Sequence, residues 1–153
     1  MADLTIRKSE LTDAPRIAEL NGELGYAVEA GEMKGRLERL LPRPDHIVFV
    51  AEIAPELVVG WIEGEERDIL AIGRVCEIVG LVVGQGHRAA GVGRRLVEAV
   101  EEWAAGRGLA QVSLRSNIVR PESHAFYEKV GYSRFKTQHA YRKRLPVFRL
   151  ALP

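Results

Sequence analysis

At 153 residues the chain is long enough to bury one core without disulfide or metal staples, and a single domain over residues 1–153 is expected. Its 46% hydrophobic and 28% charged residues are those of an ordinary globular protein, with apolar runs far short of the roughly 20 residues that a membrane span needs. Net charge is +1, Cys76 is the only cysteine and so excludes an internal disulfide, and a start without a basic segment followed by an apolar one makes the cytoplasm the expected location.

In chain order, "LTIRKSE" alternates like a strand. Asp13-Ala14-Pro15, followed by Ile17, Leu20 and Leu24, predicts a capped helix with proline in its first turn, closed near Gly22 to Gly25. A second helix fits Ala30 to Leu41, with Met33, Leu37, Leu40 and Leu41 on one face and Pro42 as its stop. "HIVFVAEI" and "LVVGWIEG" read as antiparallel neighbours across Ala54-Pro55-Glu56, and "ILAIGRVCEIVGLVV" supplies a fourth strand ending near Val83. After a glycine-rich loop, Val92, Leu96, Val100 and Trp103 share a helical face, and Gly106 or Gly108 provides a left-handed cap. "AQVSLRSN" is a strand, Pro121 to Val130 a short helix stopped by Gly131, and "YSRFKTQHAYRKRLPVFRLAL" two final strands. The order β-α-α-β-β-β-α-β-α-β-β is mixed α/β, an α+β fold with a mostly antiparallel central sheet flanked by helices.

The loop "GQGHRAAGVGRR" carries the chemistry. It lacks the Gly-Lys-Ser/Thr ending of a nucleoside-triphosphate loop. Gly84 to Ala89 satisfies the dinucleotide pattern G-x-G-x-x-A, but the next strand ends "LRSN" and offers no carboxylate for a ribose. A second register, Arg88-Ala89-Ala90-Gly91-Val92-Gly93, places small residues and free amides at a helix N-terminus, where the helix dipole favours an anion. Arg94 and Arg95 are cations in a first turn, an arrangement that a bound anion between them rationalises.

"EIVGLVVGQGHRAAGVGRRLVEAVEEWAAGRG" resembles the acetyl-CoA signature of the GNAT superfamily of N-acetyltransferases, and "NIVRPESHAFYEKVGY" resembles its second motif. The two cover Glu77 to Tyr132 in the family's order, with Gln85 and Ala89 where members commonly carry Pro and Gly. The resemblance implies that acetyl-CoA is the co-substrate, with no metal. It further implies that Val82 and Val83 offer backbone groups to the pantetheine arm. Arg88, Ala89, Ala90, Gly91, Val92, Gly93 and Arg94 would hold the pyrophosphate, and Asn117 would make a polar contact to the cofactor. Tyr127, at the tyrosine of the second motif, would be the general acid for the departing thiolate, and Tyr26 with Glu29 would lie where the superfamily builds its acceptor pocket. Its final strands often support a homodimer.

An alkylammonium with pKa near about 10 cannot attack a thioester, so a general base is required. Period-2 geometry puts Glu77 with Val79, Leu81 and Val83 on one strand face, where apolar neighbours would raise its pKa; an ion-paired strand residue is the competing reading, and His124 is the alternate base. Charge is split along the chain: Met1 to Glu77 holds 16 acidic and 9 basic residues, the remainder 5 and 13. Glu29, Glu32, Glu63, Glu65, Glu66 and Asp68 would therefore favour a cationic amine acceptor. Two rivals follow from other classes. One is a non-catalytic acyl-CoA-binding regulatory module on the same fold; the other is nucleic-acid binding through "YRKRLPVFR", whose interleaved Leu145, Val147 and Phe148 read instead as a strand. Neither nucleic acid nor membrane is expected as a partner.

Overall fold

The computed structural model describes residues 3–53, 55–88, 90–116 and 118–147. They fall into a larger unit that ends at residue 117 and a smaller one that begins at Ile118.

In the larger unit the elements run β1 (Leu4–Lys8), α1 (Ala14–Glu23), α2 (Ala30–Leu40), β2 (His46–Ile53), β3 (Leu57–Ile69), β4 (Gly73–Val83), α3 (Val92–Gly106) and β5 (Val112–Leu114). The five strands form one sheet in sequence order, antiparallel from β1 to β4, with β5 added parallel to β4. The apolar periodicities explain the layers. Ile17, Ala18, Leu20, Met33 and Leu37 of α1 and α2 pack on Val48, Val50, Val58 and Val82 on one face of the sheet. On the other face α3 buries Val92, Leu96, Val97 and Val100, and a Cβ at Gly60 would lie 3.2 Å from Leu96 and 2.9 Å from the Val82 carbonyl oxygen. Side chains such as Leu20, Ile62 and Leu96 are fully buried, each stabilising the fold by about 1.5–3 kcal/mol.

Local chemistry sets the ends. Pro15 stands in the first turn of α1, where its missing N–H costs nothing. Before it, Asp13 accepts the Glu10 N–H at 2.8 Å and takes both terminal nitrogens of Arg7 at 2.9 Å, pinning the entry of α1 to β1. β3 runs on to Ile69, beyond the expected "LVVGWIEG", and its hairpin to β4 turns over Leu70 to Ile72.

An irregularity in the β3–β4 ladder bears on the site. Gly64 pairs with Ile78 and Glu63 with Gly80, which leaves Val79 as the extra residue of a β-bulge. The alternation expected for β4 is thereby reversed across Val79. Glu77 lies opposite Glu65 and shares its face with Gly80 and Val82, not with Val79, Leu81 and Val83. The parallel ladder to β5 spans only Cys76 to Ile78 and stops where the bulge begins.

The smaller unit contains α4 (Pro121–Lys129), with proline again in the first turn, and Gly131 at φ +101° just past its end. The fold class agrees with expectation, but the two closing strands are not found among the described residues. Residues 133–147 are without helix or strand, and 148–153 lie outside the described set. Phe135, Tyr141, Leu145 and Val147 are 71%, 92%, 71% and 89% exposed, so the alternating pattern has neither a paired ladder nor a covered face to realise it.

Candidate active site

The turn after β4 is built around backbone groups. Beyond the bulge, Gly80 to Val83 keep their pairing with β3 but have no strand on the other edge among the described residues. Gly84 N–H donates to the Val59 carbonyl at 2.8 Å and His87 N–H to Gly84 at 2.9 Å, which turns the chain sharply toward α3. Gly91 is the N-cap of α3 in the left-handed conformation, at φ +82°, and no side chain caps the helix. The first intrahelical bond runs from Arg95 N–H to Gly91, so the amides of Val92, Gly93 and Arg94 precede the helical ladder at the positive end of a fifteen-residue helix.

The arginines are not equivalent. Arg88 is exposed and its Nε donates to the Val83 carbonyl at 3.1 Å, placing the guanidinium over the strand end. Arg94 is exposed in the first turn. Arg95 is turned away, its guanidinium donating to the Leu4 carbonyl of β1 at 2.6 Å. Ala90 is exposed in the turn, while Ala89 and Asn117 lie outside the described residues.

Sequence reasoning missed one contact: Gln85 N–H donates to Glu23 Oε1 at 3.0 Å, tying the end of α1 to this turn. Gln85 standing where the family commonly has proline was the available signal, because proline has no N–H to donate. Just past Glu23, the loop between α1 and α2 exposes Tyr26, whose carbonyl accepts Asn21 Nδ2 at 2.7 Å, and Glu29 follows as the N-cap of α2.

Glu77 is buried, but its surroundings are not the apolar ones expected. Oε2 accepts from Arg67 at 3.0 Å, and Oε1 lies 3.5 Å from Arg115. The reversal at Val79 explains this, since it puts Glu77 in a cross-strand row with Glu65, to which Arg67 also reaches at 3.4 Å. His46, opposite Glu65, completes the row with Nε2 at 3.0 Å from Glu65 and Nδ1 at 3.0 Å from Asp45. Cys76, beside Glu77, is fully buried; burial first and the carboxylates of Glu65, Glu66 and Glu77 after it push its thiol up to about 11. In the smaller unit Tyr127 packs edge-on to Phe126 and Tyr132 at 5.2 and 6.2 Å, and burial raises its phenol above the usual range. His124 lies one turn earlier in α4, half-buried.

The structure thus brings Val82, Val83, Arg88, Ala90, Gly91, Val92, Gly93 and Arg94 together in one turn, places Glu77 below the bulge, and leaves Tyr26 and Glu29 on the loop joining α1 and α2. A model of the acetyltransferase (GNAT) family matches residues 14–132. The chain belongs to the GNAT acetyltransferase family.

Among GNAT relatives, the rice glucosamine 6-phosphate N-acetyltransferase 1 is 35% identical over 136 residues, which cover 83% of this chain and 79% of that protein. The rice acetyl transferase GW6a is 30% identical over 132 residues; the match takes in 74% of this chain but spans only 31% of that longer protein. Among solved structures, the aminoglycoside N-acetyltransferase AAC(6')-Iy in complex with CoA superposes with a TM-score of 0.85 at 19% identity, covering 95% of this chain and 97% of that one. At that identity the likeness speaks for the fold. The chain is accordingly a GNAT protein whose described residues form a mixed sheet of five strands and four α-helices.

Proposed function

We propose that the protein is an acetyl-CoA-dependent N-acetyltransferase that moves the acetyl group directly to a primary amine. The observation that carries this reading is the open edge of β4 past the bulge, leading through a glycine turn into the uncapped N-terminus of α3. Amides aligned with a helix dipole, beside Arg88 and Arg94, suit a diphosphate. The edge of β4 at Val82 and Val83, which has no neighbouring strand among the described residues and whose Val83 carbonyl is reached by Arg88, suits an extended, amide-bearing arm. Acetyl-CoA supplies the activated thioester, and a CoA complex is described for the structural relative AAC(6')-Iy.

Direct transfer is favoured over an acyl-enzyme by the only cysteine. The Cys76 thiol, buried and raised to about 11, carries almost no thiolate near neutral pH and has no path to a thioester. The chain's task is then positioning and proton handling. Val82, Val83 and the α3 amides fix the donor. Tyr127 holds its proton through neutral pH, because burial raises its phenol, and is assigned as the acid for the thiolate. Proton removal from the amine falls to a carboxylate on the sheet face toward α1 and α2, where Glu77 and Glu63 both lie. A single domain over the whole chain accords with a family match that crosses the junction at residue 117.

Calorimetric titration with acetyl-CoA, with NAD as control, tests the reading. Saturable binding of acetyl-CoA alone is expected, weakened about tenfold or more by Arg88→Ala, which removes a charged donor. Thiol release with a primary amine, lowered about 100-fold by Tyr127→Phe, would establish transfer. Binding without thiol release for any amine would favour the non-catalytic acyl-CoA module instead.

A further inference from the structure

On the sheet face that carries α1 and α2 lies a cavity of about 110 Å³, lined by Ile17, Asn21, Met33, Arg36, Trp61 and Glu63 among others. Glu63 is its carboxyl group, and among the described residues no hydrogen bond reaches it. The nearest basic side chain is His46, whose Nε2 lies 3.8 Å away and is already 3.0 Å from Glu65. Arg36, on the same wall, is turned to Glu32 at 3.1 Å. This is the opposite of Glu77, both of whose oxygens face guanidinium groups. A mostly buried carboxyl without a donor is costly unless something supplies one.

The other walls indicate what that donor is attached to. Ile17, Met33, Leu37, Leu40 and Val48 give an aliphatic lining, and the face of an indole such as Trp61 attracts a cation. The space is large enough for several waters, and so admits the aminomethyl or aminoethyl end of an alkylamine arm. The register fixes the slot's place. Glu63 lies directly opposite Gly80, and Trp61 opposite Val82, next to the β4 segment assigned to the acyl donor. A Cβ at Gly80 would come within 2.8 Å of the Trp61 ring, so the glycine is what lets the indole lie against β4 and form the wall.

We propose that this cavity is the acceptor slot, and that Glu63 binds the terminal ammonium of a slim primary alkylamine arm and takes its proton. The assignment rests on the N-acetyltransferase reading above. One ammonium proton passes to Glu63; the neutral nitrogen's lone pair forms the C–N bond at the thioester carbonyl as the C–S bond breaks. The second surplus proton of the nitrogen leaves with the thiolate as thiol, and Glu63 returns its proton to solvent. Burial, opposed by His46 and assisted by Glu65, raises the Glu63 carboxyl, in the direction a base needs. The titratable and charged groups facing it are His46 from β2, Glu65 from its own strand and Arg36 from α2.

The test has two arms. In proton–nitrogen spectra the chain has only two indole signals, from Trp61 and Trp103, and Trp103→Phe assigns them. Propylammonium chloride is expected to shift the Trp61 signal saturably, tetramethylammonium chloride to leave it in place, and Glu63→Gln to weaken the response about tenfold or more. In the second arm Glu63→Gln lowers kcat/KM for propylamine about 100-fold near neutral pH, with the acetyl-CoA Kd within about twofold of wild type. The deficit shrinks as pH rises toward about 10, where the amine is neutral without help. A Trp61 signal indifferent to propylammonium, or equally responsive in Glu63→Gln, overturns the slot, and an undiminished kcat/KM overturns the proton transfer. Failure of the N-acetyltransferase reading would appear instead in wild type, as no acetyl-CoA binding or no thiol release, and the indole titration depends on neither.

Discussion

Gly91 enters α3 at φ +82° with nothing within 4 Å of where a Cβ would stand, so substitution there is a backbone question and not a packing one. Gly91→Ala is expected to cost about 1–2 kcal/mol in urea unfolding, the penalty of the left-handed region for an L-residue. The same variant is expected to weaken the proposed acetyl-CoA binding, because the cap orients the three amides that follow. Gly80 is the converse, with ordinary backbone and no room. A methyl group 2.8 Å from two carbons of the Trp61 ring forces the indole to move, and Gly80→Ala is expected to destabilise by about 1–3 kcal/mol and to shift tryptophan fluorescence. Unchanged emission and stability would mean that the ring has another place to go, and the wall of the proposed acceptor slot with it.

At the scale of elements, the junction of β1 with α1 hangs on Asp13. Burial alone would raise its carboxyl, but the Arg7 hydrogen bonds and the Glu10 N–H outweigh it and hold the group below its usual 3.8. A carboxyl depressed by folding gives stability that is present above the unfolded pKa and is lost as pH falls through the folded one. Asp13→Asn is therefore expected to lose about 1–3 kcal/mol at neutral pH, measured by denaturant titration, with the difference from wild type closing below about pH 3.8. A constant difference across that range would assign the effect to packing. Helix and strand identities were legible in the sequence because their signals are local: Pro15 and Pro121 inside first turns, Pro42 after α2, and the glycine-rich turn before α3. The surroundings of Glu77 were not, because they depend on one extra residue in β4 that reverses every face before it. A glycine inside an apolar strand is a bulge signal, and Gly80 offered it. The closing strands misled in the other direction, since β-forming alternation is a preference that only a neighbouring strand and a covered face can realise. Arg95 shows a similar limit, because nothing near it in sequence announces its bond to Leu4.

At the scale of the whole molecule, the described residues of the smaller unit include a nine-residue helix without a fully buried residue, followed by an exposed segment over 133–147. Such a piece does not fold by itself, as isolated helices below about 12–15 residues are marginal in water. Calorimetry of the whole chain is therefore expected to give one unfolding transition, carried by the sheet and its helices. On the proposed reading acetyl-CoA binds only the folded form, and at 100 times its Kd it would add about 2.7 kcal/mol. At roughly 2–4 °C per kcal/mol for a chain of this size, Tm rises by about 5–10 °C. Arg88 and Arg94 are exposed, so salt screens their share of the attraction: raising NaCl from about 0.05 to 1 M, where the Debye length falls to about 3 Å, is expected to shrink the increment markedly. The backbone amides of α3 and the edge of β4 form uncharged hydrogen bonds, and the part of the increment that survives high salt measures them. An increment lost entirely would mean that the arginines alone hold the ligand, which the cap geometry of Gly91 argues against.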